Sequence, residues 1–401
     1  MTRDLHDPHM QRALDLARKA EGQTSPNPMV GAVVIKSSKV IAEGYHKKAG
    51  LPHAEIVALR KAGSRARGAI LYVSLEPCCH HGKTPPCTEA IVAAGIKKVV
   101  VGVRDPNPLV SGKGIRYLKK NGIEVIAGFL KRDCERLNES FIKYIRTGRP
   151  WVILKSALSL DGKIATRTGE SQWITGPKAR EYSHQIRNRV DAIMVGAGTV
   201  CADDPRLTVR LKKGAVQNPA RIIVDGKHCV PVSARVFSNA RREQVVYATL
   251  EGLPAVRKNK LQKMGVEILV LKRKRGRVDL TQLMSELGAR EITSVMIEGG
   301  AEISGNVLAE KLVDKVVYFL APKIIGGKDG TGRETGLVIF RCSTSNGLEF
   351  DVRPRGTHEE RAVIFKNLTD YIGKHLTVRY QELTDDGRPR FPVGIAVRDY
   401  E

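Results

Sequence analysis

The sequence contains no run of eighteen apolar residues, so no segment has the length and hydropathy of a membrane-spanning helix. It also lacks low-complexity stretches, which argues against a long disordered tract. The first twenty residues are charged and amphipathic, without the apolar core of a secretory signal. These absences predict an ordered cytoplasmic protein.

Cysteine is scarce and unevenly placed. Only 7 cysteines occur in 401 residues, and three of them, Cys78, Cys79 and Cys87, lie within ten positions beside two histidines. An odd number clustered in this way does not suit a disulfide framework. We therefore expect metal ligation in a reducing compartment.

Acidic residues are too few to balance the basic ones, and the net charge is +25. Residues 331–401 contain eleven Lys and Arg and eleven Asp and Glu, so the excess lies within residues 1–330. A diffuse basic surface there suits anionic small molecules, such as phosphates, as well as it suits a polynucleotide. A solvated surface without a specific partner is an equally weighted alternative.

The length predicts two or three domains. The first, residues 1–146, alternates helical spacings with short apolar runs, a pattern typical of a sheet flanked by helices. Helices are predicted at 9–20, Ala54–Ala62 and 88–94, and strands at 30–35, Ile70–Leu75 and Lys98–Val103. Residues 146–150 are the predicted linker.

A second α/β series occupies residues 150–330. Its first strand begins near Trp151, and six further strands are predicted at 192–195, 221–224, 245–248, 268–271, Ser294–Ile297 and 315–319. Residues 331–401 form a third, β-rich unit with hairpins predicted around Asn346-Gly347 and Asp386-Gly387.

One histidine, two cysteines and a carboxylate carry the clearest chemical signal. His53 and Glu55 begin a predicted helix, while Cys78 and Cys87 flank the start of the next one. Helix N-termini favour the thiolate over the thiol. Three protein ligands leave a fourth zinc position for water, whose pKa then falls to about 7. Glu55 is placed to move protons from that water to a leaving amine.

The spacing of the two cysteines is unusual for such a site. Eight residues, CHHGKTPP, separate them, which excludes the standard cytidine or tRNA-adenosine deaminase pattern. The insertion brings Lys83 to the mouth of the site, where a cation suits an anionic substrate. A closed structural zinc site with Cys79, His80 or His81 as fourth ligand is the alternative, but it has no use for Glu55.

Nine segments, in the expected order over about residues 10–327, resemble the bifunctional deaminase/reductases of riboflavin biosynthesis. They are SPNPMVGAVV (25–34), GYHKKAGLPHAE (44–55), YVSLEPCCHHGKTPPC (72–87), VGVRDPNPLVSGKG (101–114), LKSALSLDGKIA (154–165), GESQWIT (169–175), VGAGTVCADDPRLTVR (195–210), IEGG (297–300) and APKIIGG (321–327). Position 79 departs from the family, which usually has serine there. A thiol at that position could compete as a ligand or oxidise.

The resemblance implies an α/β chain with a cytidine-deaminase-like three-layer N-terminal domain and a dihydrofolate-reductase-like second domain. The first domain would use zinc on His53, Cys78 and Cys87, with Glu55 as catalytic residue, to deaminate 2,5-diamino-6-ribosylamino-4(3H)-pyrimidinone 5′-phosphate. Its substrate residues would be Asn27, His46, Lys83, Asp105 and Asn107. Without the resemblance, Asn27 could be only a turn residue and His46 only a surface histidine.

The second domain would reduce the ribosyl side chain to ribityl with NADPH. The sequence has no GxGxxG, but glycine turns follow two predicted strands, where backbone N–H groups can approach phosphate. By the resemblance, Lys155 and Asp203 would be catalytic. The cofactor residues would be Ala157, Trp173, Thr199, Asp203, Gly299, Gly300 and Ala301. The substrate residues would be Ser171, Arg187, Leu207, Arg210 and Glu298.

After Gly327 this resemblance fades, and the chain from about residue 336 resembles the OB-fold segment of ATP-dependent DNA ligases. No adenylation lysine motif accompanies it, so ligase activity is not expected. OB-folds bind single strands through basic grooves and aromatic side chains, whereas this tail is charge-neutral. The tail is a nucleic-acid module, a β-unit that completes the reductase domain, or a recombination product of little function. We favour the last two.

Two other functions remain open at this point. One is a deaminase with an impaired reductase. The other is a nucleic-acid-editing zinc deaminase that acts on a flipped base and holds the strand with the tail. The long cysteine spacing and the second domain count against the editing enzyme. We expect a small phosphoribosyl-pyrimidine substrate, no membrane partner and a homo-oligomer.

Overall fold

The computed structural model describes residues 8–81, 85–165, 174–211, 216–321, 340–343, 349–367, 375–379, 382–383, 389–390 and 393–398. The chain divides into two compact units. The first comprises Met1–Leu154 and Glu181–Val316, and the second comprises Lys155–Arg180 and Val317–Glu401. Within the described ranges, every helix is too short or too polar to traverse a lipid bilayer.

The first unit opens with a five-stranded sheet flanked by helices. Its strand order is β2-β1-β3-β4-β5, in which β1 pairs antiparallel with β2 and β3 while β3, β4 and β5 are parallel. The elements are α1 (Pro8–Arg18), β1 (Gly31–Lys36), β2 (Lys39–Tyr45), α2 (Ala54–Ala62), a 3₁₀ turn (Gly63–Ala66), β3 (Ile70–Leu75), α3 (Cys87–Ala93), β4 (Lys98–Val103), α4 (Lys113–Lys120), β5 (Glu124–Ala127), α5 (Lys131–Leu137) and α6 (Glu139–Thr147).

Burial on both faces explains why the central strands are short apolar runs. Five of the six residues of β1 are buried, and all but one residue of β4 is buried as well. Helices α1 and α2 cover the sheet, with Met10 and Leu14 packed into its core. Because β3 and β4 are parallel, the loops that follow them leave the sheet from the same edge.

A second sheet follows in the same unit. Its seven strands are ordered β10-β9-β8-β7-β13-β6-β14, and the neighbours from β10 to β6 pair in parallel. The elements are β6 (Trp151–Leu158), α7 (Pro177–Arg187), β7 (Ala192–Gly196), α8 (Ala197–Asp203), β8 (Ala220–Asp225), a 3₁₀ turn (Arg235–Phe237), β9 (Val245–Thr249), α9 (Ala255–Lys263), β10 (Glu267–Val270), β11 (Arg273–Lys274), β12 (Arg277–Val278), α10 (Leu280–Ala289), β13 (Ser294–Ile297), α11 (Ala301–Ala309) and β14 (Lys315–Leu320).

The second unit contains the end of β6, the end of β14 and the tail. The Ala321 N–H donates to the carbonyl of Leu158 at 2.8 Å and joins the ends of these strands. The described tail strands form sheets of their own, ordered β15-β16-β20-β17 and β18-β19. The elements are β15 (Phe340–Ser343), β16 (Glu349–Pro354), α12 (His358–Lys366), β17 (His375–Arg379), β18 (Glu382–Leu383), β19 (Pro389–Arg390) and β20 (Val393–Arg398).

The helices and strands whose bounds were predicted lie within one or two residues of the observed ones. The bounds of Ala54–Ala62, Ile70–Leu75, Lys98–Val103 and Ser294–Ile297 are those predicted. Helix α6 continues to Thr147, so residues 148–150 alone connect it to β6. Antiparallel strands flank both predicted hairpin turns of the tail, while the turn residues themselves lie outside the described ranges.

The loop of residues 21–29 is held from two directions. On one side the Ser25 hydroxyl lies 3.2 Å from the hydroxyl of Thr293, which precedes β13. On the other side the buried Asn138 accepts the Met29 N–H at 2.8 Å and donates to the Met29 carbonyl at 3.0 Å. This loop carries Asn27, so residues far away in sequence fix its position.

Replacing Asn138 by alanine tests this anchor, because the variant loses both bonds to Met29. We expect the free energy of unfolding, measured by urea titration with circular dichroism, to fall by about 1–3 kcal/mol. The control is the exposed Asn121, whose side chain, among the described hydrogen bonds, donates to one nearby helix carbonyl. Asn121→Ala should change that free energy by less than about 0.5 kcal/mol. Similar losses in both variants would contradict the anchoring role.

Candidate active sites

Three side chains lie close together beside the first sheet. Two come from the starts of helices, and one follows the end of a strand. His53 directly precedes α2, Cys78 follows β3, and Cys87 is the first residue of α3. The His53 Nδ1 atom lies 3.2 Å from the Cys87 Sγ and 3.5 Å from the Cys78 Sγ. The three ligand atoms all lie within 4.8 Å of one another.

This geometry fits a zinc ion. With Zn–N near 2.0–2.1 Å and Zn–S near 2.3 Å, tetrahedral coordination places the nitrogen about 3.6 Å from each sulfur. Within the described ranges no fourth His, Cys, Asp or Glu belongs to the group. The Cys79 Sγ faces the Leu109 carbonyl at 3.9 Å, His80 is exposed, and His81 contacts Glu89 at 3.1 Å. The three-ligand arrangement is that of an open, catalytic site.

The Cys87 thiol donates its proton in a hydrogen bond to the Cys78 sulfur. Hydrogen bonds from Cys87 and His53 lower the pKa of Cys78 to about 4. The same contact with the Cys78 thiolate, together with burial, raises the pKa of Cys87. Because a metal needs both sulfurs as thiolates, binding displaces this proton.

Glu55 lies in the first turn of α2 and is 3% exposed. Burial, followed by the negative charge of Cys78, raises the pKa of its carboxyl to about 6. Its side chain also reaches the Cys87 thiol. A carboxyl that exchanges protons near neutral pH beside the metal ligands has the properties of a general acid and base.

Asn27 and His46 adjoin the metal ligands. The Asn27 amide lies 3.1 Å from His46 Nε2, and His46 Nδ1 lies 3.3 Å from the carbonyl of Pro52. The His46 ring packs edge-on against His53, with 5.4 Å between centroids. His46 is 2% exposed and burial lowers its pKa, so the surface-histidine alternative is wrong. A neutral ring that donates from Nδ1 accepts the Asn27 amide proton at Nε2.

Asp105 and Asn107 shape the loop that follows β4. The Asp105 carboxylate accepts the Asn107 N–H at 2.8 Å, and the Asn107 side-chain oxygen accepts the Leu109 N–H at 3.0 Å. Burial, opposed by that hydrogen bond and reinforced by the charges of Glu76 and Cys78, raises the pKa of Asp105 to about 6. Lys83 lies outside the described residues.

Glu76 is a site residue that the sequence reading did not single out. Its buried carboxylate accepts N–H groups of Asp105 (3.2 Å), Gly112 (2.9 Å) and Ile115 (3.0 Å). These bonds tie the end of β3 to the loop after β4. The available signal was a glutamate directly before Pro77-Cys78, at the end of a strand predicted to be buried.

The two glycine turns of the second sheet meet at one edge. Strands β7 and β13 are parallel neighbours, so α8 and α11 begin side by side. The Gly300 N–H donates to the Thr199 hydroxyl at 3.0 Å. A Cβ at Gly299 would lie 2.1 Å from Ile303, so packing requires glycine there. The structure thus brings together the predicted cofactor residues Thr199, Gly299, Gly300 and Ala301, with Asp203 at the end of α8.

Arg187 and Glu298, both predicted to bind substrate, form a two-pronged ion pair. Arg187 Nε and Nη2 lie 2.6 and 2.8 Å from the two carboxylate oxygens, and both side chains are nearly buried. Arg187 Nη1 also donates to the Thr208 carbonyl at 3.1 Å. Burial acts to lower the pKa of Arg187, but Glu298 outweighs it and raises that pKa.

Positive charge is concentrated around Arg210. Burial and then the charges of Arg187 and Arg206 lower its pKa, and Arg235 adds to the effect. The buried Leu207 lies between Arg206 and Arg210 in sequence and has a φ of 54°. Guanidinium groups whose charges act on one another in this way favour binding of an anion such as phosphate.

The remaining predicted residues belong elsewhere in the chain. Lys155 and Ala157 lie on the part of β6 that falls in the second unit. There the Lys155 ammonium lies 5.5 Å from the centre of the Phe319 ring, a cation–π contact. Ser171 and Trp173 are outside the described residues.

Known proteins match this chain over most of its length. The family model of the cytidine and deoxycytidylate deaminase zinc-binding region matches residues 3–103, and that of the RibD C-terminal domain matches residues 150–342. The riboflavin biosynthesis protein RibD of Aquifex aeolicus is 46% identical over 326 residues, covering 81% of this chain and 89% of that protein. The Escherichia coli RibD is 40% identical over 329 residues, with 79% and 88% covered.

The chain belongs to the RibD family. Two solved structures agree. Acinetobacter baumannii RibD has a TM-score of 0.72 at 38% identity and covers 86% of this chain and 96% of its own. The Thermotoga maritima deaminase/reductase also has a TM-score of 0.72, at 39% identity, with 88% and 98% covered.

Membership in the RibD family confirms the expected fold, a deaminase-like domain followed by a reductase domain. It also confirms the two expected cofactors, zinc and NADPH. The chain is a bifunctional deaminase and reductase of riboflavin biosynthesis. None of these matches supports the deaminase-only or nucleic-acid-editing alternative.

The tail has a match of its own. A DNA ligase OB-like domain model matches residues 329–398. The RibD C-terminal model extends to residue 342, fifteen residues beyond Gly327, after which the resemblance was expected to fade. The two matches overlap at the start of the tail, and strand β15 begins inside that overlap.

Metal content tests the ligand set directly. We expect Cys87→Ser to lose zinc, because two ligands hold the ion poorly, and Cys79→Ser to retain about one zinc per chain. Inductively coupled plasma mass spectrometry of the purified variants measures this. Loss of zinc from Cys79→Ser would show that a fourth protein ligand closes the site.

Proposed function

We propose that this RibD-family chain deaminates 2,5-diamino-6-ribosylamino-4(3H)-pyrimidinone 5′-phosphate and then reduces the ribosyl side chain of the product. The observation that carries the first step is the three-ligand group His53, Cys78 and Cys87 beside the buried Glu55. The Thermotoga maritima relative is described as a diaminohydroxyphosphoribosylaminopyrimidine deaminase and 5-amino-6-(5-phosphoribosylamino)uracil reductase.

In the deamination, His53, Cys78 and Cys87 would hold the zinc, which when bound supplies Lewis acidity for hydrolysis at neutral pH. Glu55 accepts the proton of the attacking water and returns it to the leaving amine. Its raised pKa suits both transfers. Asn27 and His46, which are hydrogen-bonded to each other, present polar groups to the pyrimidine ring of the substrate. The anchored loop of residues 21–29 limits the movement of Asn27.

In the reduction, NADPH when bound supplies the hydride. Thr199 and the 299–301 turn would hold the cofactor at the shared edge of β7 and β13. Arg210 would bind the substrate phosphate, while Arg187, fixed by Glu298, adds positive charge and presents that carboxylate to the sugar. From the family resemblance we assign Lys155 and Asp203 to positioning the reacting sugar, Ala157 and Trp173 to binding the cofactor, and Ser171 and Leu207 to binding the substrate.

The domain division follows the same proposal. Residues 1–146 are the deaminase domain, residues 150–330 the reductase domain, and residues 331–401 a β-rich segment. We infer that this segment completes the reductase half, since it shares one compact unit with Lys155–Arg180. We also propose that Lys83, Asp105 and Asn107 bind the substrate, that the protein is a cytoplasmic homo-oligomer, and that nucleic acid is not among its partners.

Glu55→Gln tests the acid/base step, because glutamine keeps the shape but cannot carry the proton. Ammonia release from the diamino substrate should fall by about 10²- to 10⁴-fold, with zinc content unchanged. Glu89→Gln is the control, since Glu89 is exposed on α3 and contacts only the surface residue His81 among described hydrogen bonds. Reduction of supplied deaminated intermediate should be normal in both. An unimpaired Glu55→Gln would refute the assignment.

Arg210→Ala tests phosphate recognition in the reductase half. We expect the KM for the phosphorylated intermediate to rise about tenfold or more, because a charge-assisted contact is lost. With the dephosphorylated compound, variant and wild type should have the same KM. The exposed Arg242, on the turn before β9, is the control for loss of one positive charge. An equal rise in Arg242→Ala would indicate only a long-range charge effect.

A further inference from the structure

Two cysteines that have no role in either proposed site lie next to each other. Cys201 is on α8 and Cys229 is in the loop after β8, and both are free and exposed. Strands β7 and β8 are parallel neighbours, with Gly196 paired to Val224 at their ends. Helix α8 and the loop after β8 therefore leave the sheet from the same edge.

The two residues are in direct contact. The Cys201 Sγ lies 3.8 Å from the Cys229 carbonyl oxygen, and its thiol also interacts with the Cys229 thiol. The Cys229 Sγ lies 3.5 Å from the Asp225 carboxylate. The two side chains therefore lie in contact at the surface, as a disulfide between them requires.

We propose that Cys201 and Cys229 form a reversible intramolecular disulfide when the protein meets a disulfide oxidant such as oxidised glutathione. The Cys201 thiolate attacks one glutathione sulfur and expels one glutathione as its thiolate. The Cys229 sulfur then attacks the Cys201 sulfur of the mixed disulfide and expels the second glutathione. Two protein thiols lose two electrons, and their two protons end on the two glutathione thiols.

The surroundings assign an order to these two attacks. Burial and then the Asp225 charge raise the pKa of Cys229 to about 11, and its S–H group donates to that carboxylate. A thiol held in this form is a slow first nucleophile. Cys201 is therefore the attacking residue and Cys229 the resolving one.

The disulfide would act on the reductase half. Helix α8 also carries Thr199, which accepts the Gly300 N–H. Linking α8 to the loop after β8 pulls the helix towards that loop and away from Gly300. This consequence rests on the proposed NADPH site, whereas the disulfide itself does not.

Peptide mapping tests the disulfide. Full-length, zinc-loaded protein is incubated with excess oxidised glutathione, alkylated, digested without reductant and analysed by mass spectrometry. We expect a Cys201–Cys229 cross-linked peptide in a monomeric chain, reversed by dithiothreitol and absent from Cys201→Ser and Cys229→Ser. In Cys229→Ser, Cys201 should carry glutathione. Persisting free thiols, a stable mixed disulfide in the wild type, or cross-links between chains would overturn the proposal.

Kinetics on the same samples test the consequence. After oxidation the KM for NADPH should rise about fivefold, equivalent to the loss of one hydrogen bond, and Cys201→Ser should show no rise. Ammonia release should be unaffected and serves as the internal control. An unchanged KM in cross-linked protein would refute the effect on the reductase. Absence of NADPH oxidation in the reduced protein would instead refute the proposed function, and the peptide map would still stand.

Discussion

The buried carboxylate of Glu76 is the contact on which the deaminase site depends. A buried charge is costly unless it is paired, and three backbone N–H groups satisfy this one, two from the loop after β4 and one from α4. They fix the end of β3 just before Cys78. A Cβ at Gly114 would lie 2.2 Å from the Pro77 carbonyl, so the start of α4 packs closely against the metal-binding segment. The position of Cys78 relative to His53 and Cys87 follows from this anchoring.

The second sheet contributes to the first site. The Asn27 loop contacts Thr293 through Ser25, and a Cβ at Gly22 would lie 2.2 Å from the Asn188 carbonyl. Asn188 directly follows Arg187, the partner of Glu298. One packed region of the first unit therefore fixes residues of both sites, which gives a physical reason for two consecutive reactions to share one chain.

The sequence alone predicted the strands, helices and zinc ligands that local residue patterns specify. Strands such as Ile70–Leu75 are continuous apolar runs because both faces of the sheet are covered. The zinc ligands could be predicted because the types and spacing of His53, Cys78 and Cys87 suit few other kinds of site. The roles of Glu76, Asn138 and the Cys201–Cys229 contact were not predictable, since their partners lie 28 to 109 positions away. Strand β2 was missed because it lies at a sheet edge, where its first two residues are exposed and two of its seven residues are buried. Contacts between distant segments leave no periodic signal.

We propose that one chain performs both reactions, with deamination before reduction. The most direct measurement follows ammonia release and NADPH oxidation together, starting from the diamino substrate and zinc-loaded protein. NADPH oxidation should begin after a lag and approach one NADPH per ammonia, with no reduction of the undeaminated substrate. Ammonia release without NADPH oxidation, or reduction that precedes deamination, would contradict this order of reactions in one chain.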